Sequence, residues 1–288
     1  IDRLFKQMDI SFKKSNSSEN LQDYIKLYNS CFSQNKFKLE YLNWLYNKNP
    51  CGQYIGVDCF DNDILIGQVG GIPVEFFWRG EKIKIIISIN VCVNNNYRGQ
   101  KLFSKMADKF EIAIKKNNFD GIIAIGNKSA TPAWIRSINL INLGGLETFL
   151  GLGEINDNNF DVNHYDFYSH WDNKKLSWRL DNPNNKTFLK KNKKKRKSIY
   201  SITKYPFIKA HAPILNYEDG DFLDNTEINI LQPFIFIGKI GNLKNKNVLH
   251  VPKILRPSPL NFLYKFFNPT IKLKKDNIFF TFMDFDIF

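Results

Sequence analysis

The stretch from Ile87 to Phe103 reads ISINVCVNNNYRGQKLF, and it decides the fold of the chain. Its first part, Ile87–Val93, is rich in β-branched residues and predicts a strand. The polar segment Asn94–Gln100 ends that strand, and apolar residues at helical spacing then continue to about Lys116. A strand that passes through a loop into a helix presents free backbone N–H groups at the positive end of a helix dipole. Such a junction can hold a phosphate or pyrophosphate group.

Two common phosphate-binding motifs are missing from this loop. The GxxxxGK[ST] spacing of Walker-type loops does not occur, and a single glycine, Gly99, excludes the GxGxxG dinucleotide motif. Arg98 and Lys101 add positive charge beside the loop. The junction therefore predicts a phosphorylated ligand held in a different way.

The elements around this stretch predict an α+β fold with a mixed, largely antiparallel sheet flanked by helices. Apolar spacing predicts helices over Leu21–Phe32, Leu39–Tyr46 and Ser129–Ile138. Turn residues between β-rich runs predict two hairpins, formed by Gln53–Phe60 with Ile64–Gly70 and by Pro73–Trp78 with Lys82–Val93. Further strands are predicted at Gly121–Gly126 and Leu146–Leu152.

The second half of the chain repeats a feature of the first. Trp44–Pro50 and Trp178–Pro183 both lead from a helical segment to Asn-Pro, and a predicted hairpin follows each. For Trp178–Pro183 that hairpin is Lys186–Leu189 with Ser198–Lys204. The repeat indicates a tandem duplication, with the boundary in the polar segment Ile155–Asn163. We therefore predict domains over residues 1–155 and 156–288.

Residues 10–153 resemble the GCN5-related N-acetyltransferase (GNAT) superfamily, in which a strand ending in Val precedes an Arg/Gln-x-x-Gly-x-Gly/Ala loop. Arg98 matches the first position of that loop. Lys101 stands where the central Gly is usual, and Phe103 where the last Gly or Ala is usual. The turn at Asn127 resembles the Asn-containing turn that contacts pantetheine in many members. The second half resembles a degenerate copy without the loop, as in two-domain members encoded among surface-polysaccharide genes.

The resemblance implies a GNAT fold and an acyl-CoA, such as acetyl-CoA, as co-substrate. It places the cofactor against Cys92, Val93, Arg98, Gly99, Gln100, Lys101, Leu102, Phe103 and Asn127. A neutral amine would attack the thioester directly, with backbone N–H groups near Cys92–Val93 polarising its carbonyl. The candidates at the acyl end are Ser88 and Asn90, which share one face of their strand. Hydrogen bonding within the structure is the alternative role for both.

The catalytic base and acid stay unassigned. Many relatives supply the acid as a Tyr in the helix after the second strand, but the corresponding positions here are Trp134, Leu140 or Ile141. No carboxylate lies in Ile85–Val93 to serve as base.

The charge surplus bears on the acceptor. The chain has 41 Lys and Arg against 28 Asp and Glu, a net charge of +13. Seven of the positive charges lie within Lys190–Lys197, which predicts a solvated hairpin tip rather than a nucleic-acid contact because aromatic residues do not interleave the run. The remaining surplus suits acyl-CoA and a small amine acceptor such as a nucleotide-linked amino sugar. An aminoacyl-tRNA-dependent transferase and a non-catalytic binding protein are the alternatives.

The cysteines and the apolar runs limit the class of protein. Cys31, Cys51, Cys59 and Cys92 form no C-x-x-C pair, which argues against a zinc site and against a disulfide framework. No apolar run is long enough to span a bilayer. We expect a cytoplasmic protein without a metal; a dimer is one option for its oligomeric state, which the sequence leaves open.

Overall fold

In the computed structural model, the residues that the structure describes are 9–32, 37–153, 155, 162–191, 197–215, 217–218, 232–241, 248–256 and 258–285. The helices are α1 (Leu21–Cys31), α2 (Leu39–Asn47), α3 (Leu102–Lys116), α4 (Ala130–Ile138) and α5 (Asn173–Leu180). The first strands are β1 (Ile10–Lys14), β2 (Ile55–Asp61), β3 (Ile64–Trp78), β4 (Glu81–Ser88), β5 (Cys92–Val93), β6 (Gly121–Gly126), β7 (Ile141–Gly145) and β8 (Glu147–Leu152). The later strands are β9 (Phe167–Ser169), β10 (Trp171–Asp172), β11 (Thr187–Lys191), β12 (Lys197–Ile202), β13 (Lys209–Pro213), β14 (Tyr217–Glu218), β15 (Pro233–Ile240), β16 (Val248–His250), β17 (Asn261–Phe266) and β18 (Ile278–Thr281). Within these ranges no helix combines the length and the apolar character needed to cross a bilayer.

The sheet of the first half confirms the predicted mixed, largely antiparallel arrangement. Its strands lie in the order β1-β2-β3-β4-β6-β17-β7, with β4 parallel to β6 and the other neighbours antiparallel. Helix α3 covers one face because Leu102, Met106, Phe110 and Ile114 recur every four residues and are all buried. Helices α1 and α2 pack on the other face through a second cluster of buried aromatic and aliphatic side chains.

The second half has the same arrangement of strands. Its order is β11-β12-β13-β15-β8-β16, with β13 parallel to β15 and the other neighbours antiparallel. This order and these directions match β2-β3-β4-β6-β17-β7 strand for strand. The two halves exchange one strand each, because β17 completes the first arrangement and β8 completes the second. Strands β18 and β9 join the two arrangements into one sheet.

The repeated Trp residues meet at a symmetric contact. Trp44 on α2 and Trp178 on α5 stack with ring centroids 4.7 Å apart. The indole N–H of Trp44 donates to the Trp178 carbonyl at 2.7 Å, and that of Trp178 donates to the Trp44 carbonyl at 3.0 Å. Each Trp donates its indole N–H to the backbone carbonyl of the other Trp. Such a reciprocal pair of contacts is the geometry of a local two-fold axis.

Most of the local predictions are confirmed. The predicted helices form α1, α2 and α4, and the hairpin that brackets the Lys190–Lys197 run forms from β11 and β12. Residues 192–196 of that run lie outside the described residues. Leu146–Leu152 forms β8, but its partners are β15 and β16. Asn261–Phe266 instead pairs with β6, and β7 forms the edge of the first sheet. The division at residues 155 and 156 stays a prediction, and strands cross it in both directions.

Candidate active site

The candidate site opens where the parallel strands β4 and β6 diverge. Their last pair joins Ser88 to Ala124. Beyond it, the N–H of Ile89 donates to the Gly70 carbonyl at 3.1 Å, and Asn90 takes a left-handed φ of 53° that turns the chain away from β6. We call the space between the diverging ends of the two strands the β4–β6 gap.

The backbone of β5 directs one N–H group into the β4–β6 gap. The N–H of Asn94 donates to the Ile66 carbonyl at 2.8 Å, and Val93 pairs with Gly67. In an antiparallel ladder, hydrogen-bonded pairs alternate with pairs whose N–H and C=O groups point away from the partner strand. Val93 therefore points its N–H away from β3, and its carbonyl accepts a hydrogen bond from Arg98 Nε at 3.3 Å. That N–H can hold the carbonyl oxygen of an acyl group.

The loop before α3 supplies further donors. Helix α3 has no side-chain cap at its N-terminus, and Lys105 is the first residue whose N–H bonds back to the loop, at 3.2 Å from the Lys101 carbonyl. Among the residues that the structure describes, the N–H groups from Gly99 to Ser104 have no acceptor in the loop or its surroundings. These donors converge at the positive end of the helix dipole, which suits a pyrophosphate.

Lys101 adopts the backbone conformation that glycine favours. Its φ is 59° and its ψ is 16°, in the left-handed region, and its side chain is exposed. This conformation costs a non-glycine residue about 1 kcal/mol or more. Lys101, at the position where the resembled pattern has Gly, therefore keeps the backbone shape that Gly would give the loop, and its side chain adds an ammonium group at the surface.

We expect Lys101→Gly to keep the loop intact, with the free energy of unfolding unchanged or raised by up to about 1 kcal/mol, because relief of strain offsets the added flexibility of the unfolded chain. Lys101→Val should lower it by about 1 to 2 kcal/mol, since a β-branched residue is poorly accommodated at positive φ. Urea denaturation of the three proteins measures both effects. Equal stability of the two variants would contradict the left-handed conformation.

The other predicted cofactor residues divide between the surface and the core. Arg98 and Gly99 are exposed and Gln100 is half-buried, whereas Leu102 is buried beneath the loop. Phe103 packs edge to face on Trp134 at 5.0 Å. Trp134, one of the three positions considered for a Tyr acid, is only 3% exposed and is a core residue between α3 and α4.

Asn127 lies across the β4–β6 gap from β5, directly after β6. Its side-chain oxygen accepts from the N–H groups of Ser129 at 3.0 Å and Ala130 at 2.8 Å, so it caps the start of α4. The residue is exposed. Its contact with pantetheine stays a prediction.

The two acyl-end candidates have different environments. The Ser88 hydroxyl is buried and donates to the Gly70 carbonyl at 3.0 Å, which is a hydrogen bond within the sheet. The side-chain amide of Asn90 donates to the Tyr46 hydroxyl at 3.0 Å, and Asn90 is partly exposed. Of the two, Asn90 is the one that borders the β4–β6 gap.

Sequence reasoning missed a polar network behind Asn90. It consists of Tyr46 and Tyr28 from the helices together with Gln68 and Asp58 from the sheet, and all four are fully buried. Burial raises the pKa of the Asp58 carboxyl, against hydrogen bonds that lower it. A signal for the network existed, because Asp58 and Gln68 interrupt apolar strands and a buried polar residue needs partners.

Two cysteines border the same region. Cys31, at the end of α1, is half-buried, and the Cys92 thiol is buried beside it. A hydrogen bond from Cys92, with smaller effects of Ser30 and Arg98, lowers the pKa of the Cys31 thiol to about 6 against the opposing effect of burial. Burial and the Cys31 thiol raise the pKa of Cys92 well above its usual value.

The family comparison finds a similarity within the first half of the chain. Residues 13–123 match the model of the acetyltransferase (GNAT) domain. This part of the chain is similar to GNAT acetyltransferases. This match supports an acyl-CoA-dependent N-acyltransferase with an acyl-CoA as co-substrate. The matched residues include β2, β3, β4, β5 and the loop before α3.

Solved structures extend the likeness of fold beyond the GNAT domain. A conserved protein of unknown function from Enterococcus faecalis has a TM-score of 0.56 at 12% identity, over 89% of this chain and 72% of its own. A GCN5-related N-acetyltransferase from Anabaena variabilis also has a TM-score of 0.56 at 12% identity, over 90% and 73%. One from Kribbella flavida has a TM-score of 0.54 at 8% identity, over 90% and 71%. A search of curated proteins found no match.

Proposed function

We propose that the protein transfers an acetyl or short acyl group from acyl-CoA to the amine of a nucleotide-linked amino sugar used in surface-glycan synthesis. The observation that carries the transferase chemistry is the group of free N–H donors from Gly99 to Ser104, next to the Val93 N–H that faces the β4–β6 gap. The first group suits the pyrophosphate of CoA, and the second suits the thioester carbonyl.

In this reaction the lone pair of a neutral amine attacks the thioester carbon. A C–N bond forms, the C–S bond breaks, and the negative charge passes through the carbonyl oxygen to the thiolate. The Val93 N–H stabilises the charge on oxygen in the transition state. The amine loses one proton, and the CoA thiolate takes one up. The side chains that move these protons stay unassigned.

Charge supports the choice of acceptor. Outside Lys190–Lys197 the chain keeps a surplus of six positive charges. Both acyl-CoA and a nucleotide-linked sugar carry a pyrophosphate, so a modest basic surplus attracts both substrates. The acceptor enters beside β4, β6 and the helices α1 and α2 in this proposal.

We also infer that the chain is a tandem duplication of GNAT-like units. Two observations support the inference: the matching strand order of the two halves and the reciprocal contact of Trp44 with Trp178. The segment that would correspond to the loop and α3, between β13 and β15, lies mostly outside the described residues. The catalytic assignment therefore rests on the first half.

We expect Arg98→Glu to weaken CoA binding by about 10- to 100-fold, because it replaces an attractive charge beside the phosphates by a repulsive one. Isothermal titration calorimetry with CoA measures the change. Lys174→Glu, an equal charge change at an exposed position of α5, is the matched control and should change the affinity less than about twofold. Absence of CoA binding by the unaltered protein would overturn the proposed function.

A thiol-release assay tests the acceptor. Acetyl-CoA is supplied with a panel of nucleotide-linked amino sugars, with unlinked amino sugars and with aminoacyl-tRNA. We expect thiol release with at least one nucleotide-linked member. Turnover of unlinked amines alone would refute the nucleotide-linked acceptor. The tRNA-dependent alternative releases tRNA and no thiol, so it needs a separate reaction: transfer of a radiolabelled aminoacyl group from tRNA in the absence of CoA would favour it.

A further inference from the structure

We propose that a one-directional chain of hydrogen bonds, which begins at the buried Asp58, turns the side-chain carbonyl of Asn90 into the β4–β6 gap to accept an N–H of the attacking amine. The proposal rests on the proposed function, because it assigns a role toward that amine. Asn90 would contact the substrate, whereas Asp58 and the residues between them are positioning residues.

The chain is anchored at Asp58, which has no exposed surface. Its carboxylate accepts hydrogen bonds from the Ser15 hydroxyl at 2.6 Å, the Tyr24 hydroxyl at 2.8 Å and the side-chain NH₂ of Gln68 at 2.9 Å. A carboxylate accepts and does not donate. The contact with Asp58 therefore fixes the amide of Gln68, with its NH₂ toward Asp58 and its Oε1 on the opposite side.

The orientation of the Gln68 amide in turn fixes the direction of the hydrogen bonds made by Tyr28 and Tyr46. The Tyr28 hydroxyl donates to Gln68 Oε1, so its single proton is used. The hydroxyl oxygens of Tyr28 and Tyr46 are 2.7 Å apart, and the proton between them must come from Tyr46. Because the Tyr46 proton is then used as well, its oxygen can only accept. Its partner at 3.0 Å is the NH₂ of Asn90.

The direction of the hydrogen bonds leaves Asn90 with a free acceptor, its side-chain oxygen Oδ1, at the site. Since its NH₂ faces Tyr46, its Oδ1 lies on the opposite side of the side-chain amide. Asn90 is partly exposed, holds a left-handed φ of 53°, and follows the last β4–β6 pair by two residues. Its Oδ1 therefore lies on the side of the β4–β6 gap, on the same turn of chain that leads to Val93.

An acceptor at this position has a defined use in the transfer. A neutral amine must point its lone pair at the thioester carbon, so its N–H bonds point away from that carbon. An oxygen that accepts one of these N–H bonds orients the lone pair. A side-chain NH₂ in the same place would instead donate to the amine lone pair and turn it away from the thioester carbon. The chain thus decides whether Asn90 presents an acceptor or a donor.

Asp58→Asn tests the direction because it can reverse every link without losing one. The new side-chain amide would donate to Gln68, and both tyrosine protons and the Asn90 amide would turn over in sequence. In protein with ¹⁵N-labelled asparagine, we expect nuclear Overhauser contacts between the Asn90 NH₂ and the Tyr46 ring that are absent from Asp58→Asn. Spectra of Asn90→Asp assign the signal. Absence of these contacts from the unaltered protein would overturn the chain.

A double-mutant cycle tests the effect on the reaction, with acetyl-CoA and the best amine from the thiol-release panel. We expect Asp58→Asn to lower kcat/KM for the amine by about 10-fold or more, with KM for acetyl-CoA unchanged. Asn90→Asp alone places carboxylates at both ends of the chain and leaves no proton between Tyr28 and Tyr46. The double variant restores a consistent chain in reverse and should recover about 10-fold over Asp58→Asn. Additive losses would overturn the proposal.

Two further variants test the chain without changing Asp58, because a substitution at that buried residue could impair folding. Tyr46→Phe removes the hydroxyl that joins Tyr28 to Asn90, and it should lower kcat/KM for the amine by about 3- to 10-fold. Tyr54→Phe is the matched control: Tyr54 stacks on Tyr46 at 4.1 Å, and its hydroxyl has no hydrogen-bond partner within the described part of the chain. It should leave the rate unchanged, and an equal loss in both variants would overturn the role of the chain.

The outcomes separate this proposal from the proposed function. If no amine in the panel is acylated, the proposed acceptor fails and so does the role of Asn90 toward it. The magnetic-resonance arm uses the free protein and still decides the direction of the chain. If an amine is acylated and the cycle shows no coupling, the proposed function stands and this proposal fails.

Discussion

A chain that ends after Gly153 is expected to remain unfolded at 25 °C, although it contains the whole stretch that matches the GNAT domain. The reason is the exchange of strands between the halves. Strand β17 lies between β6 and β7 and pairs with both. Without it, β6 has an unpaired edge inside the sheet, and buried N–H and C=O groups lose their partners.

The loss of apolar burial is large enough to decide the outcome. Four side chains of β17 are buried, one of them in the cluster beneath α3 and three in the largest core cluster: Leu263, then Phe262, Tyr264 and Phe266. Burial of such side chains contributes about 1.5 to 3 kcal/mol each, so the strand accounts for about 6 to 12 kcal/mol. The whole free energy of unfolding of a domain is about 5 to 15 kcal/mol.

Circular dichroism and amide spectra of the shortened chain measure the effect. Addition of a peptide that spans residues 258–285 should restore structure, because it supplies β17 in trans. The same peptide with Leu263→Lys is the control, since it would bury a charge against α3 and should restore nothing. Cooperative unfolding of the shortened chain alone would show that the predicted division near residue 155 is an independent folding boundary.

Local pattern was sufficient for the elements and for the loop. The spacing of Leu102, Met106, Phe110 and Ile114 predicts α3 because a helix buries one face. The change from the apolar Ile87–Val93 to polar residues predicts the junction because a strand cannot continue through them. These properties depend on near neighbours in the chain, so the sequence contains them directly.

The pairing of strands could not be predicted in the same way. Glu147–Leu152 and Asn261–Phe266 are both short strands with apolar residues, and nothing local indicates which of them pairs with β6. Their partners are set by contacts between the halves. The acceptor chain from Asp58 to Asn90 was missed for the same reason, because it joins α1, α2, β2 and β3, which meet only after folding.

The second large effect concerns the cysteines. We expect iodoacetamide at pH 7 to alkylate Cys31 on the order of 10- to 100-fold faster than any other cysteine of the folded protein. The pKa of Cys31 is about 6, so this thiol is mostly thiolate at pH 7. Burial raises the pKa of Cys51 and Cys59 to about 11 and that of Cys92 further above its usual value. The lower intrinsic nucleophilicity of an acidic thiol offsets part of the difference.

The alkylation rate of Cys31 should also depend on pH in the way that a lowered thiol pKa requires. A lowered pKa means that the thiolate is lost as the pH falls, so the alkylation rate should drop tenfold per pH unit below about pH 6 and level off above pH 7. Mass spectrometry of the alkylated peptides measures each site, and Cys31→Ser should remove the fast phase. A rate that keeps rising to pH 9 would contradict the lowered pKa.

The same measurement reports on the phosphate loop. The charge of Arg98 lowers the pKa of Cys31, although less than the hydrogen bond from Cys92 does. Cys92→Ala should therefore move the inflection of the rate profile to higher pH by more than Arg98→Glu does. If Arg98→Glu weakens CoA binding and also moves the inflection, the Arg98 guanidinium affects both the bound CoA and the Cys31 thiol. If Cys92→Ala moves the inflection and Arg98→Glu does not, Arg98 acts on the phosphate loop and not on Cys31.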